Sequence, residues 1–257
     1  MIKLATWNVN SLKVRLEQVL DWLEESQTDI LALQETKLED AVFPKEAFEA
    51  LGYEVVFRGQ KAYNGVAWIS RLPIVDCRDT FLDFADEQKR ILATTIAGIR
   101  VINFYIPNGQ AVGSSKYAYK LEWLEAMLDF VRDEMKNHPK VVVVGDFNIA
   151  PEDIDVHDPK KWEGEVLVSE PERLAFQKLL RYGLIDSIRM HHPLQDNLYS
   201  WWDYRAAAFR RQMGLRIDHI LLSASLSSHC MASGIDINPR KDPRPSDHAP
   251  VWVSLNL

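Results

Sequence analysis

Residues 140–151 read KVVVVGDFNIAP. Val141 to Val144 form an unbroken β-branched run, the pattern of a strand covered on both faces. The chain then runs, within a few residues, into Gly145, Asp146 and Asn148. Polar groups at the tip of a buried strand cost free energy unless a cap, a metal or a substrate satisfies them. The same design recurs. DILALQE (29–35) is an apolar run that ends in polar residues, and a short strand at 2–8 ends in TWNVNS. Ser11 there is placed to cap a helix whose Leu12, Leu16, Val19, Leu20 and Leu23 share one stripe.

Outward from these three stretches, strand-like segments follow at 53–58 and 65–70. RILATTIAGIRVINFYIPNG (90–109) reads as two strands around a turn at Ala97–Gly98, the second ending at Tyr105. Leu121, Leu124, Leu128, Val131 and Met135 mark a helix over about 116–136. A polar loop (150–170) leads to a helix over about 171–182, and strands are expected near 199–202, 215–223 and 251–256. Strands and helices interleave, but several strands follow one another by short turns, which favours mixed sheets over regular parallel units. The expected fold is α/β: two packed mixed sheets flanked by helices, in one domain spanning 1–257. No Gly/Ser linker, low-complexity tract or convincing internal repeat breaks the chain.

The bulk numbers are those of a soluble globular protein, with 47% hydrophobic and 26% charged residues. No apolar run suits a membrane span, and MIKLATWNVN does not resemble a signal peptide. Cys77 and Cys230 lie far apart in no ligand-like spacing and read as reduced, structural thiols of a cytoplasmic protein. Thirty basic and 37 acidic residues give a net charge of −7, which argues against indiscriminate attraction to nucleic acid. Charge is segregated, however. LYSWWDYRAAAFRRQMGLR (198–216) holds Arg205, Arg210, Arg211 and Arg216 against the single acid Asp203.

Collected, the polar residues at strand ends are Asn8, Glu35, Tyr105, Asp146, Asn148, Asp218, Asp247 and His248. Strands lying side by side with these tips at one edge would make them converge. Hard cations such as Mg²⁺ take oxygen ligands, a task that suits Glu35 and Asp247 with Asn8 nearby. Asp218 could orient His248 and raise its basicity. Each has a plainer reading: GDFN as a turn with a capping Asp, Glu35 as the start of a solvated loop, His248 as a structural hydrogen-bonder. His191, His192, His219 and His229 are read as structural, and core packing suits at least one of Trp201 and Trp202.

The ordered set of motifs adds a resemblance. TWNVNSLKVR, DILALQETK, LGYEVVFRGQKAYNGVAWISR, RVINFYIPNG, VVVVGDFNIAPEDID, YSWWDYR, GLRIDHILLS and PSDHAPV together cover the whole chain. In that order they resemble the exonuclease III family of DNA-repair nucleases, within the larger endonuclease/exonuclease/phosphatase group. The pairing of WWDYR with GLRIDHIL is the most specific part. The resemblance implies a four-layer α/β sandwich with its site at one edge of the two sheets. It implies a metal-dependent phosphodiesterase acting on double-stranded DNA, with 3′→5′ exonuclease, 3′-end-cleaning and abasic-site endonuclease activities in an open ratio.

On that resemblance Glu35 binds Mg²⁺ (or Mn²⁺), with Asn8 and Asp247 sharing or supporting it. Asp146 aligns the attacking water, Asn148 holds the phosphate, His248 on Asp218 stabilises developing charge, and Tyr105 assists near the leaving oxygen. Arg205, Arg210, Arg211, Lys116 and Lys120 are candidate DNA contacts, with Asn108 and Arg90 beside them. Trp201 and Leu215 match the pocket for a damaged nucleotide. Val166–Leu167–Val168 is an apolar patch that would weaken abasic incision if it intruded there. The implied partner is duplex DNA with abasic sites, nicks or blocked 3′ ends, met by a cytoplasmic monomer with no membrane role. Two other readings stand beside this one: an inositol-phosphate or phospholipid phosphatase of the same superfamily, and a non-catalytic DNA-binding homologue.

Overall fold

A computed structural model describes all residues 1–257. The strands of its first half are β1 (Ile2–Asn8), β2 (Ile30–Gln34), β3 (Glu54–Arg58), β4 (Val66–Ser70), β5 (Ile74–Arg78), β6 (Ile91–Ile96) and β7 (Ile99–Tyr105). Those of the second are β8 (Val141–Asp146), β9 (Leu184–Asp186), β10 (Trp201–Trp202), β11 (Gly214–Leu215), β12 (Asp218–Ser223), β13 (Cys230–Ile235) and β14 (Val251–Leu255). The helices are α1 (Leu12–Ser26), α2 (Lys45–Glu49), α3 (Ser115–Asn137), α4 (Pro159–Trp162), α5 (Glu170–Arg181), α6 (Ser187–His191) and α7 (Ala224–Ser227). None is long and apolar enough to cross a membrane.

Two six-stranded sheets form, ordered β13-β14-β1-β2-β4-β3 and β5-β6-β7-β8-β12-β9. Each has one parallel pair at its centre, β1 with β2 and β7 with β8, and antiparallel pairs outside it. Each parallel pair is joined by a long helix, α1 or α3, as a parallel connection requires. The topology therefore repeats although the residues do not.

Alternation along the strands sorts side chains into layers. Val142 and Val144 enter the core between the sheets, while Val141 and Val143 pack on α3 and α5. All four are fully buried, so the valine run is covered on both faces. A third core, with Ala5, Trp7, Leu31 and Leu33, lies under α1 and α2. The order helix, sheet, sheet, helix is the four-layer α/β sandwich that was expected. Gly145 ends the run at φ 134°, and a Cβ there would lie 1.9 Å from the Phe104 carbonyl oxygen, so only glycine allows β8 to lie this close to β7.

The expected hairpin turn at Ala97–Gly98 is present, with φ of 51° and 74°, the positive pair that two-residue hairpin connections favour. Ser11 does not cap α1. Its φ is 91° and its side chain makes no cap bond; the N–H groups of Ser11 and Leu12 donate instead to the carbonyls of Glu35 and Thr36. The start of α1 is thus tied to the segment after β2. Leu16 and Leu20 are only partly buried, and Trp22 joins the buried stripe. β5, β9 and β13 were not expected: β5 is an exposed, bulged edge, β9 has three residues, and β13 carries an irregularity between Cys230 and Ala232. Both cysteines are free thiols, but only Cys230 is buried; Cys77 is exposed and packs in no core.

Candidate active site

The site is the polar end of the core between the sheets. Leu4, Ile30, Val101, Val144 and Ile220 face that core from β1, β2, β7, β8 and β12. Counting by twos along each strand reaches Asn8, Gln34, Tyr105, Asp146 and Asp218 on the same face. Tyr105 stands in register with Asp146, and Asp146 with Asp218, so three functional groups form a row across the second sheet. A buried polar layer lies beneath them. Gln34 Nε2 donates to Thr6 Oγ1 and Asn103 Oδ1, and Asn103 Nδ2 donates to the carbonyls of Leu33 and Ala67. Thr6, Gln34 and Asn103 were not anticipated; their signal was polarity at core-facing positions of otherwise apolar strands.

Asp146 is the hub. Asn8 Nδ2 donates to Asp146 Oδ2 at 2.8 Å and to Glu35 Oε1 at 2.9 Å. The Asn148 N–H donates to Asp146 Oδ1 at 2.9 Å. Burial pushes the Asp146 carboxyl up to about 7, although His248 opposes the shift. His248 Nδ1 donates to Asp218 Oδ2 at 2.8 Å, and its Nε2 lies 3.7 Å from Asp146 Oδ2. Burial alone would lower the imidazole, but the carboxylates of Asp218 and Asp146 outweigh it and raise it to about 10. The two carboxylates thus favour the imidazolium form of the ring. Asp218 Oδ1 has no partner, so this carboxylate serves His248 alone.

The loop bearing His248 is fixed from three sides. Ser246 Oγ donates to the Asn8 carbonyl, Trp7 Nε1 donates to the His248 carbonyl at 3.2 Å, and the Trp202 N–H donates to the Asp247 carbonyl. Tyr105 is a neutral phenol, pushed well above its ordinary range by burial and by the carboxylates of Glu35 and Asp146. The Arg90 guanidinium lies 4.7 Å from the Tyr105 ring centre and donates to its carbonyl. Arg90 thus braces Tyr105.

Glu35 has φ 51° just beyond β2, and its carboxyl is held below the ordinary range: burial would raise it, but Lys37 and Asn8 prevail. Lys37 Nζ sits 2.8 Å from Glu35 Oε2 and donates to Asn10 Oδ1; Asn10 Nδ2 donates to Asp247 Oδ1. The Lys37 ammonium already pairs with Glu35, and the oxygens nearby are those of carboxylates and amides. That set fits a hard divalent cation. Asn8 Oδ1 accepts the Asn10 N–H, and its amide nitrogen faces the carboxylates of Glu35 and Asp146, so Asn8 is placed to support Glu35. Asp146, Asp218 and His248 have donor atoms within 4.8 Å of one another, close enough to hold a cation. With His248 protonated between two carboxylates, this trio is better suited to managing charge. Asn10 and Lys37 went unnoticed in the sequence, although Asn10 follows Asn8 by one strand period.

Among the candidate DNA contacts, Arg205, Arg210, Arg211, Lys116 and Asn108 are exposed. Arg205 pairs with Asp203, whereas Arg210 and Arg211 take part in no ion pair. Lys116, Asn108, Arg90 and Tyr105 line one cleft of about 540 Å³. Trp201 and Arg205 line another of about 390 Å³, with Trp162 and Met213. Trp201 Nε1 also donates to Asp247 Oδ2, while Trp202 is buried in a core with Tyr199 and Ala208. Three expectations need correction. Lys120 is fully buried and paired with Glu172, so it cannot reach a phosphate. Leu215 is likewise fully buried, beneath Trp201, and forms no open wall. Arg216 belongs to no basic surface; it is buried between Asp155, Asp186 and His219. Leu167 and Val168 turn inward against Leu215, and the patch they form with Val166 does not line the Trp201 cleft.

Two packed sheets with an Asp–His–Asp chain and a neighbouring cation-ready carboxylate define a hydrolytic centre for a charged, oxygen-rich substrate. Residues 5–248 match the model of the Endonuclease/Exonuclease/phosphatase family. The chain is 36% identical to exodeoxyribonuclease III of Haemophilus influenzae, over 99% of this chain and all of that one, and 32% identical to an exodeoxyribonuclease of Bacillus subtilis over the full length of both. Among solved structures it is similar to a 3′ phosphatase from Neisseria bound to a product DNA hairpin (TM-score 0.98, 46% identity) and to an AP endonuclease from Archaeoglobus fulgidus (0.96, 40%), each covered completely. The chain belongs to the Endonuclease/Exonuclease/phosphatase family, and within it to the exonuclease III group.

Proposed function

We propose that this protein is a DNA-repair phosphodiesterase of the exonuclease III type, which trims and cleans 3′ ends of duplex DNA and incises abasic sites. The observation that carries this reading is the unbroken contact chain Asp218–His248–Asp146–Asn8–Glu35 at the mouth of the inter-sheet core. The DNA chemistry named for the relatives favours it over a lipid or inositol phosphatase. The intact acid and histidine set disfavours a non-catalytic binder. Residues 1–257 act as one catalytic domain, a cytoplasmic monomer.

Hydrolysis of a phosphodiester needs a water aligned for in-line attack, a counter to the charge growing on phosphorus, and help for the departing 3′-side oxygen. Asp146, with a carboxyl near neutrality, accepts the proton of that water. The His248 imidazolium donates toward the developing charge while Asp218 keeps it protonated. Asn148 holds one Nδ2 proton firmly on the Ile106 carbonyl and the other only at 3.3 Å from Asp146, which leaves the second for a phosphate oxygen. Tyr105, neutral and braced by Arg90, can protonate the leaving oxygen. Glu35, supported by Asn8 and with Asp247 close through Asn10, would hold Mg²⁺, with Mn²⁺ a substitute. The ion supplies Lewis-acid polarisation of the phosphate.

The Trp201 cleft takes the damaged nucleotide. Because the Val166–Val168 patch is turned away from it, abasic incision should not be suppressed. Duplexes carrying an abasic site, a nick or a 3′-phosphate should be cut in Mg²⁺ and spared in EDTA. Purified protein that leaves all three intact in Mg²⁺ would sink this reading. Asp146→Asn should lower cleavage by about 10²–10³-fold or more while duplex binding survives.

A further inference from the structure

We propose that Lys120 is a positioning residue, whose buried ammonium holds from behind the turn of Asn148, the amide left for the phosphate, and the turn of Asn108 joined to it. The inference rests on the reading of the site just given. Lys120 Nζ donates to the Asn148 carbonyl at 2.7 Å and to the Asn108 carbonyl at 3.1 Å. No backbone N–H takes either carbonyl, so Lys120 is the sole partner of both. The side chains of these two asparagines are themselves joined, Asn108 Nδ2 donating to Asn148 Oδ1 at 3.0 Å. The strands end at Tyr105 and Asp146, so neither asparagine is held by a β-ladder. Asn148 has φ 51°, and Gly109, next to Asn108, has φ 91°. Two left-handed turns from different loops are pinned to one point.

The pin has its own support. Glu172 pairs with Lys120 and also accepts the N–H groups of Leu167 and Ser169 and the Ser169 hydroxyl. Tyr117, one helical turn before Lys120, hydrogen-bonds the same hydroxyl. Helix α3, helix α5 and the two site loops therefore meet at a single buried ion pair. Such a pair contributes little or nothing to stability relative to apolar side chains of similar volume. Leaving the buried Asn148 carbonyl without a donor would, in contrast, be costly, and with the part-buried Asn108 carbonyl also released the turns that carry both residues would be free to shift. A displacement of about 1 Å at a phosphate-holding group costs on the order of 10²-fold in rate. Lys116, four residues earlier, is exposed and lines the Tyr105 cleft instead.

The test compares the wild type with Lys120→Met and with Lys120→Met/Glu172→Gln, which removes both buried charges together and keeps the fold accessible if the single variant is unstable. On a 3′-phosphate duplex in Mg²⁺, kcat should fall about 10²-fold in each folded variant. KM, and the slope of log Kd against log salt measured in EDTA, should stay at wild-type values. A kcat within threefold of wild type in the double variant overturns the proposal. So does a raised KM with a salt slope shallower by about 0.9, the signature of a lost phosphate contact. Failure of the underlying reading would show differently, as a wild type that cuts nothing.

Discussion

At the scale of single residues, two histidines on one protein are driven to opposite charge states by their neighbours. His248, between Asp218 and Asp146, is held protonated with its pKa raised to about 10. A raised pKa contributes stability that is fully present below the unfolded value near 6.5 and is lost as pH climbs toward 10. His219, one position after Asp218, faces the other side of the same strand. Burial, and then the adjacent Arg216 guanidinium, lower it to about 4. It is neutral, accepting from Arg216 Nη1 at Nδ1 and donating from Nε2 to the Ile149 carbonyl. A lowered histidine pKa contributes stability present above 6.5 and lost as pH falls to 4. In thermal unfolding in EDTA, the His248 contribution to stability is therefore lost on the alkaline side and the His219 contribution on the acid side, where the raised Asp146 carboxyl acts in the opposite sense. Asp218→Asn should flatten the alkaline limb and His219→Gln the acid limb. An acid limb unchanged in His219→Gln would mean that other groups set it.

At the scale of elements, the turn between β11 and β12 is held by buried charge. Arg216 Nε donates to Asp155 Oδ1 at 2.7 Å and Nη1 to Asp186 Oδ2 at 2.8 Å, and Arg189 also pairs with Asp155. This ties the loop after GDFN, the end of β9 and the start of the strand that bears Asp218. Arg216→Met leaves two buried carboxylates short of a partner and should cost about 3–5 kcal/mol in urea unfolding, whereas exposed Arg210→Ala should stay within about 0.5 kcal/mol. Sequence patterns could have shown part of this. Arg216 lies between Leu215 and Ile217 in a strand-like stretch, where alternation gives its place but not its partners. Lys120 is more instructive. Tyr117, Lys120, Leu124, Met127 and Val131 recur at helical spacing, so periodicity put Lys120 on the buried face of α3 although its charge suggested DNA. What no local pattern contains is Glu172, fifty-two residues on. The strand tips were legible because each belongs to a local apolar run; Ser11, Leu215 and the ion network were not, because tertiary partners decide them.

At the scale of the whole molecule, a net charge of −7 coexists with exposed, unpaired Arg210 and Arg211 and with Lys116 at the mouth of the Tyr105 cleft. Duplex binding should be strongly salt-dependent, and each of these cations that touches phosphate should, when changed to Ala, reduce the slope of log K on log salt by about 0.9. A slope unmoved by Arg210→Ala and Arg211→Ala would place the duplex on another face. Both sheets contribute to the centre: Tyr105, Asp146 and Asp218 belong to strands of the second, Asn8 ends β1 of the first, and Glu35 just after β2 and Asp247 and His248 before β14 lie on loops of the first. Asn8 links them with one amide. Asn8, Tyr105, Asp146 and Asp218 also continue the inward alternation of their strands. Because that alternation has a period of two, a slip of one position in β1, β7, β8 or β12 would send its polar tip into a helix layer and an aliphatic side chain into the centre. A misassembled sheet would then yield an inert protein rather than a sloppy nuclease. Insertions and deletions inside these strands are compatible with repair chemistry only in even steps, while length changes are tolerated more freely in loops that carry no group of the site.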